Sequence, residues 1–114
     1  MLYELRHYQI EPGHRDEWVA LMEEQIIPFQ ISQGMDIVGS FIDEQNPDVY
    51  IWLRRFESEE VRVQQYAAVY QSDTWTNEIA PVAGKLLLQE NITVTRLIPT
   101  SISRMKERAP SEQS

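Results

Sequence analysis

The first ten residues carry Glu4, Arg6 and Tyr8 at every second position. Side chains alternate between the two faces of an extended strand, so these three share one face. An acid, a cation and a phenol pointing into one cavity form a workable chemical set. A guanidinium at Arg6 can orient an anion or polarise a carbonyl. A carboxylate at Glu4 becomes a base if burial raises its pKa. The plainer reading is an ion pair, Glu4 with Arg6 or across strands, that holds a sheet together. A second series, Tyr50, Trp52, Arg54 and Phe56, has the same spacing. An arginine among aromatics can stack on a planar anion or grip it. It can equally make a salt bridge at a rim or an interface. Arg54 and Arg55 alternate, so one of them faces inward; Arg55, close to Ser58, suits a structural role. The candidate catalytic residues are therefore Glu4, Arg6 and Tyr8. The candidate ligand-binding set is Arg6, Tyr8, Tyr50, Trp52, Arg54 and Glu90.

Other chemistries find less support. His7 falls opposite Glu4 and Arg6, on the face expected to meet the helices, and His14 opens a helix at the surface. Neither position suits a catalyst better than a structural residue. The sequence has no cysteine, which rules out thiolate nucleophiles, disulfides and zinc sites of the Cys type. With two histidines, a metal would need carboxylates such as Glu4 and Glu90, whose spacing says nothing, and no metal is expected. Gly-rich phosphate loops, nucleophile elbows and His–carboxylate zinc motifs do not occur. Nicotinamide, ATP and serine-hydrolase chemistry are disfavoured accordingly.

These residues need elements to hold them. Residues 2–10 read as a strand, stopped by Pro12-Gly13. Trp18, Leu21, Met22, Ile26 and Phe29 recur at helical spacing from His14 onward, and Gly34 makes a plausible left-handed cap. Pro28 conflicts with that pattern and is expected to kink or end the helix. Residues 36–44 and 49–57 read as a hairpin turning over 45–48. Ser58 caps a helix carrying Val63, Tyr66, Ala67 and Tyr70. A further helical piece after Ser72 carries Trp75, Ile79 and Val82 and ends near Pro81 or Gly84. Trp18 and Trp75 suit core positions. Residues 86–98 read as one long last strand. The order β-α-β-β-α-β predicts an α+β, ferredoxin-like fold. Its four-stranded antiparallel sheet has helices on one face. Because the strands are not polar on either face, the second face is expected to be covered, as in two such sheets packed together.

Bulk composition narrows the partners. The chain has 114 residues, which fits a single domain. A domain of this size buries roughly two-thirds of its unfolded surface, so a partner subunit would help. Eighteen acidic residues against ten basic ones give a net charge of -8. Nucleic acid and anionic membranes would repel most of this surface. No segment approaches the ~20 apolar residues of a membrane helix, and a cytoplasmic protein is expected. The domain is placed at 1–103, with a polar, mobile tail over 104–114.

Several stretches together resemble the NIPSNAP family. Tyr3-Glu4-Leu5-Arg6, with Tyr8 and then Pro12-Gly13, is similar to that family's start. Ile37-Val38-Gly39 resembles its L-V-G segment. Arg55-Phe56-Glu57-Ser58 stands where the family has R-Y-E-S, with Phe in place of Tyr. Asp73 and Trp75 resemble its D-x-x-W segment, one residue short. Arg96-Leu97-Ile98-Pro99-Thr100 and Ser103 look like its closing R-x-L-x-P-T stretch. The resemblance spans residues 2 to about 103. It implies a ferredoxin-like dimeric α/β barrel, hence a homodimer, without an assigned reaction. The expected function is binding of a small, partly apolar or anionic molecule in the barrel. One alternative is a cofactor-independent enzyme like the monooxygenases and isomerases on the same barrel. Another is a protein-interaction module with a filled barrel. No cofactor is predicted, although haem or flavin stays open because such barrels bind them without a linear motif.

Overall fold

The computed structural model describes residues 1–106. Four strands form one antiparallel sheet: β1 (Leu2–Gln9), β2 (Asp36–Ile42), β3 (Val49–Phe56) and β4 (Thr93–Leu97). Their spatial order is β2-β3-β1-β4, the ferredoxin-like arrangement expected from the element order. β1 lies in the centre, where β3 and β4 satisfy its backbone on both sides. β2 pairs with β3 through a bulge between Ile37 and Gly39.

The first helical segment does not end at Pro28. α1 (Arg15–Leu21) runs through a π-helical stretch, Met22–Ile26, into α2 (Ile27–Ser32). A proline inside a regular helix loses a hydrogen bond and collides with the carbonyl four residues back. Here the Ile27 N–H reaches back five residues to the Met22 carbonyl, and Pro28 falls in the first turn of α2. A π-bulge is one recognised way to bend or re-register a helix. Gly34, with φ of 98°, then turns the chain into β2.

Ser58 caps α3 (Glu59–Tyr70), its hydroxyl accepting the Val61 N–H at 3.2 Å. Val63 and Ala67 are exposed, contrary to expectation, and the inner stripe is Tyr66, Val69 and Tyr70. A second π-helical stretch, Thr74–Ile79, leads into α4 (Ala80–Leu86), which takes Pro81 in its first turn. The long strand expected over 86–98 starts only at Thr93. Leu86 closes α4, Leu87 makes a single bridge to Ile10, and Gln89–Asn91 form a short 3-10 turn. Three consecutive leucines carry no period, so they do not distinguish a strand from a buried helix end.

The register decides which side chains meet the helices. Glu4 pairs with Arg54, Arg6 with Trp52, and Tyr8 with Tyr50. That face packs under the helices: the Tyr8 ring lies edge-on to Trp18 of α1 at 5.7 Å. His7 therefore points to the opposite, open face, which reverses the expected assignment. Besides His7, Arg55, Thr93 and Thr95, the open face carries large apolar side chains, with Leu5, Ile51 and Leu53 half-buried and Phe41 and Leu97 exposed. One end of it is covered by the chain after β4, where the Tyr3 hydroxyl donates to the Met105 carbonyl. The expected tail begins at Arg104, and from 107 on it lies outside the described residues.

Candidate functional site

Under α3, Arg54 is fully buried and Glu4 nearly so. Their position on directly paired strands lets an Arg54 Nη2 hydrogen bond reach Glu4 Oε1 at 2.9 Å. The Arg54 guanidinium also donates to the Tyr66 hydroxyl at 2.9 Å, the Tyr70 hydroxyl at 2.9 Å and Gln30 Oε1 at 3.0 Å. Its Cζ sits 4.7 Å from the Trp52 ring centroid. An isolated charge is costly in such a place, and here each charge has a partner. Arg62 of α3 reaches the second Glu4 oxygen at 3.3 Å and is shared with Glu59 at 3.0 Å. Hydrogen bonds from Arg62 and Arg96 hold the Glu59 carboxyl at about 2.

Arg6 is the cation this network leaves least compensated. It approaches Glu4 Oε1 only to 4.0 Å, and that oxygen is already engaged by Arg54. Its Nε donates to the Tyr8 hydroxyl at 2.8 Å and its Nη1 to the Tyr66 hydroxyl at 3.2 Å. Burial pushes the Tyr66 phenol up to about 12, against the pull of Arg54. Burial also raises the Tyr8 phenol, with Arg6 opposing.

Beside Arg6 lies a cavity of about 270 Å³ between the sheet and the helices. Arg6, Tyr8 and Trp52 come to it from the strands, Trp18 from α1, Tyr70 from α3 and Ala83 from α4. Trp75, in the second π-helical stretch, and Gln89 complete one side. The buried indole N–H of Trp18 has no hydrogen-bond partner among the described residues. The arrangement can enclose a flat apolar body and present one guanidinium to it. Among the described residues, no group of three or more His, Cys, Asp or Glu is placed to hold a metal, and no helix is long and apolar enough to cross a membrane.

Residues 3–104 match the sequence model of the NIPSNAP family. The chain belongs to the NIPSNAP family. A NIPSNAP family protein from Agrobacterium tumefaciens has a similar structure: TM-score 0.81, 24% identity, covering 91% of this chain and 97% of that one. A NIPSNAP-like domain protein from Burkholderia xenovorans gives 0.80 at 22% identity, covering 90% and 87%. An antibiotic biosynthesis monooxygenase gives 0.66 at 16% identity, covering 88% and 99%. At these identities the likeness shows the fold. No functionally curated protein matches the chain.

Within this NIPSNAP fold, Arg6, Tyr8 and Trp52 from the candidate set line the cavity. Glu4 and Arg54 sit beside it, engaged with each other. Tyr50 bonds the Ser40 hydroxyl at 2.5 Å and packs against Tyr8. Glu90 is exposed in the 3-10 turn, and its neighbour Gln89 is the residue that lines the cavity. His14 bonds Glu17 at the surface. Sequence reasoning passed over Tyr66, Tyr70 and Gln30. Tyr66 and Tyr70 are four apart on one helix face, which was visible as a signal. Gln30 interrupts an otherwise apolar helix stripe, and it is fully buried.

Proposed function

We propose that this NIPSNAP protein binds a small, partly apolar, anionic molecule between its sheet and its helices. The observation that supports this most is the lining: all three tryptophans of the sequence, Trp18, Trp52 and Trp75, meet at one cavity beside Arg6. Aromatic walls with few polar groups are typical of ligand pockets. Against a net charge of -8, Arg6 supplies a local reason for an anion to enter. Pockets for drug-sized ligands run to roughly 300–1,000 Å³, so a cavity of about 270 Å³ suits one or two rings better than haem or a flavin. The open sheet face favours a homodimer in which two sheets pack together. The ligand then sits outside the two-sheet barrel, under each subunit's helices.

A second reading, a cofactor-independent enzyme, draws on the fold shared with the antibiotic biosynthesis monooxygenase. Such chemistry needs a base at the substrate. Glu4, the expected one, spends its oxygens on Arg54, Arg62 and Tyr66. Binding therefore fits the geometry better than turnover.

Native mass spectrometry of the purified protein tests the reading. A retained mass on wild type, lost in Ala83→Phe with the fold kept, supports it, because the added ring fills the cavity from α4. The reading fails if both proteins keep the same mass. It fails also if wild type retains nothing and no small aromatic acid or neutral compound perturbs its tryptophans.

A further inference from the structure

The hydrogen bonds around Arg6 and Arg54 have a direction. Arginine only donates, so each tyrosine oxygen it reaches must accept. Three phenols and two guanidiniums alternate in one chain: Tyr8, Arg6, Tyr66, Arg54, Tyr70. The middle phenol, Tyr66, donates its O–H hydrogen to Glu4 Oε1 at 2.5 Å. The outer two have no such outlet. Tyr8 accepts from Arg6 at 2.8 Å, and Tyr70 accepts from Arg54 at 2.9 Å and from Gln30 Nε2 at 3.4 Å. Among the described residues, neither Tyr8 nor Tyr70 has an acceptor for its own O–H hydrogen. Both residues line the cavity.

We infer that Tyr8 and Tyr70 form a paired O–H donor site for the carboxylate of a small aromatic acid, with Arg6 supplying the charge. This inference rests on the binding reading above and names its ligand class. A hydroxyl that accepts from a guanidinium is polarised and becomes a better donor. Hydrogen bonds to a charged acceptor are about twice as strong as neutral ones. Burial keeps the Tyr8 phenol protonated well above neutral pH, so it stays a donor where the protein works. A carboxylate offers two oxygens with four acceptor sites, enough for two phenols and a guanidinium together. The ring of the acid would lie among the tryptophans. A neutral amide of the same shape brings one NH₂ group that two O–H donors and a guanidinium cannot serve.

Three tryptophans give three indole N–H signals in a nitrogen–proton spectrum, and all three side chains line the cavity. The full-length protein is titrated with 3-phenylpropionate and, separately, with 3-phenylpropionamide. The acid is expected to bind at least ~10-fold tighter than the amide, the usual scale for charge-assisted bonds. Tyr8→Phe and Tyr70→Phe should each weaken the acid more than the amide and so shrink that preference by roughly 5-fold. The same spectrum shows that each variant is folded. Equal affinity for acid and amide overturns the carboxylate site while leaving a binding cavity. An undiminished preference in both Phe variants overturns the role of the phenols. If neither probe moves an indole signal at millimolar concentration, the cavity does not bind small aromatic molecules, and both readings fall.

Discussion

Glu4 and Arg54 stand directly opposite each other on β1 and β3 and close a 2.9 Å ion pair, both sealed from solvent. The two are not equally dependent on the pair. Glu4 keeps Arg62 and Tyr66 if Arg54 is lost, whereas Arg54 has no other carboxylate partner among the described residues. Breaking a buried pair costs about 3–5 kcal/mol when it strands a charge. Glu4→Gln is therefore expected at the upper end of that range and Arg54→Met below it. The double variant should recover part of the loss, because Arg54 is no longer there to be left without its carboxylate. Urea denaturation of the four proteins measures this cycle. Single losses under about 1 kcal/mol would show that the pair is solvated and does not hold the sheet.

Alkaline stability should report on Tyr66 and Tyr50. Burial raises both phenols from 10.0 to about 12. A raised folded-state value means that the folded protein holds the proton longer than the unfolded chain does. The stabilisation is complete below pH 10 and falls as pH rises from 10 towards 12. The midpoint of urea unfolding should drop over that window, and Tyr66→Phe should flatten the drop. The phenolate absorbance of native protein should show part of its tyrosine ionising late. Complete ionisation near pH 10 without unfolding would contradict the enclosed network.

Much of the site is legible in the sequence, and its orientation is not. Period-two spacing groups Glu4, Arg6 and Tyr8 on one face of their strand, and Tyr50, Trp52, Arg54 and Phe56 on one face of theirs. Alternation cannot say which side the helices cover, because both faces mix charged residues with bulky apolar ones. The contact of Tyr8 with Trp18 of α1 resolves it, and His7 moves to the open side. The convergence of Tyr66 and Tyr70 on Arg54 depends on how α3 crosses the sheet, a tertiary fact with no local signature. Ala83 at the cavity carries no signal either, since small residues are common throughout helices. Pro28 is visible as an anomaly, but the π-helical stretch that absorbs it is not. The NIPSNAP-like segments, by contrast, follow the chain in order and agree with the family match over residues 3–104.

Gly34 marks the junction where a side chain should be penalised. Its φ of 98° lies where a Cβ crowds the following carbonyl. Gly34→Ala is expected to cost roughly 1–2 kcal/mol. Its Cβ would also come 3.4 Å from Gln65 Nε2, a tolerable contact, so the loss should come from the backbone. Thermal unfolding measures it. An unchanged melting temperature would mean that the turn after α2 relaxes freely.

The open sheet face gives the last prediction, that the protein associates through it. Leu53 lies near the centre of that face, paired with Leu5 on β1 and Gly39 on β2, while Phe41 opposite Ile51 is 53% exposed. In a two-fold dimer every interface residue occurs twice, so each substitution counts twice. Burying one Leu or Phe contributes about 1.5–3 kcal/mol. Leu53→Glu or Phe41→Glu should therefore weaken association by roughly two to four decades in Kd. Because each changed side chain is half-buried or exposed in the single subunit, the fold and the cavity under the helices should persist. Sedimentation velocity at micromolar concentration should give a dimer for wild type and a monomer for the variants. The tryptophan signals should be unchanged, since Trp18, Trp52 and Trp75 face the other side of the sheet. A monomeric wild type removes the two-sheet barrel while leaving the cavity intact. A dimer that survives both substitutions places the interface elsewhere.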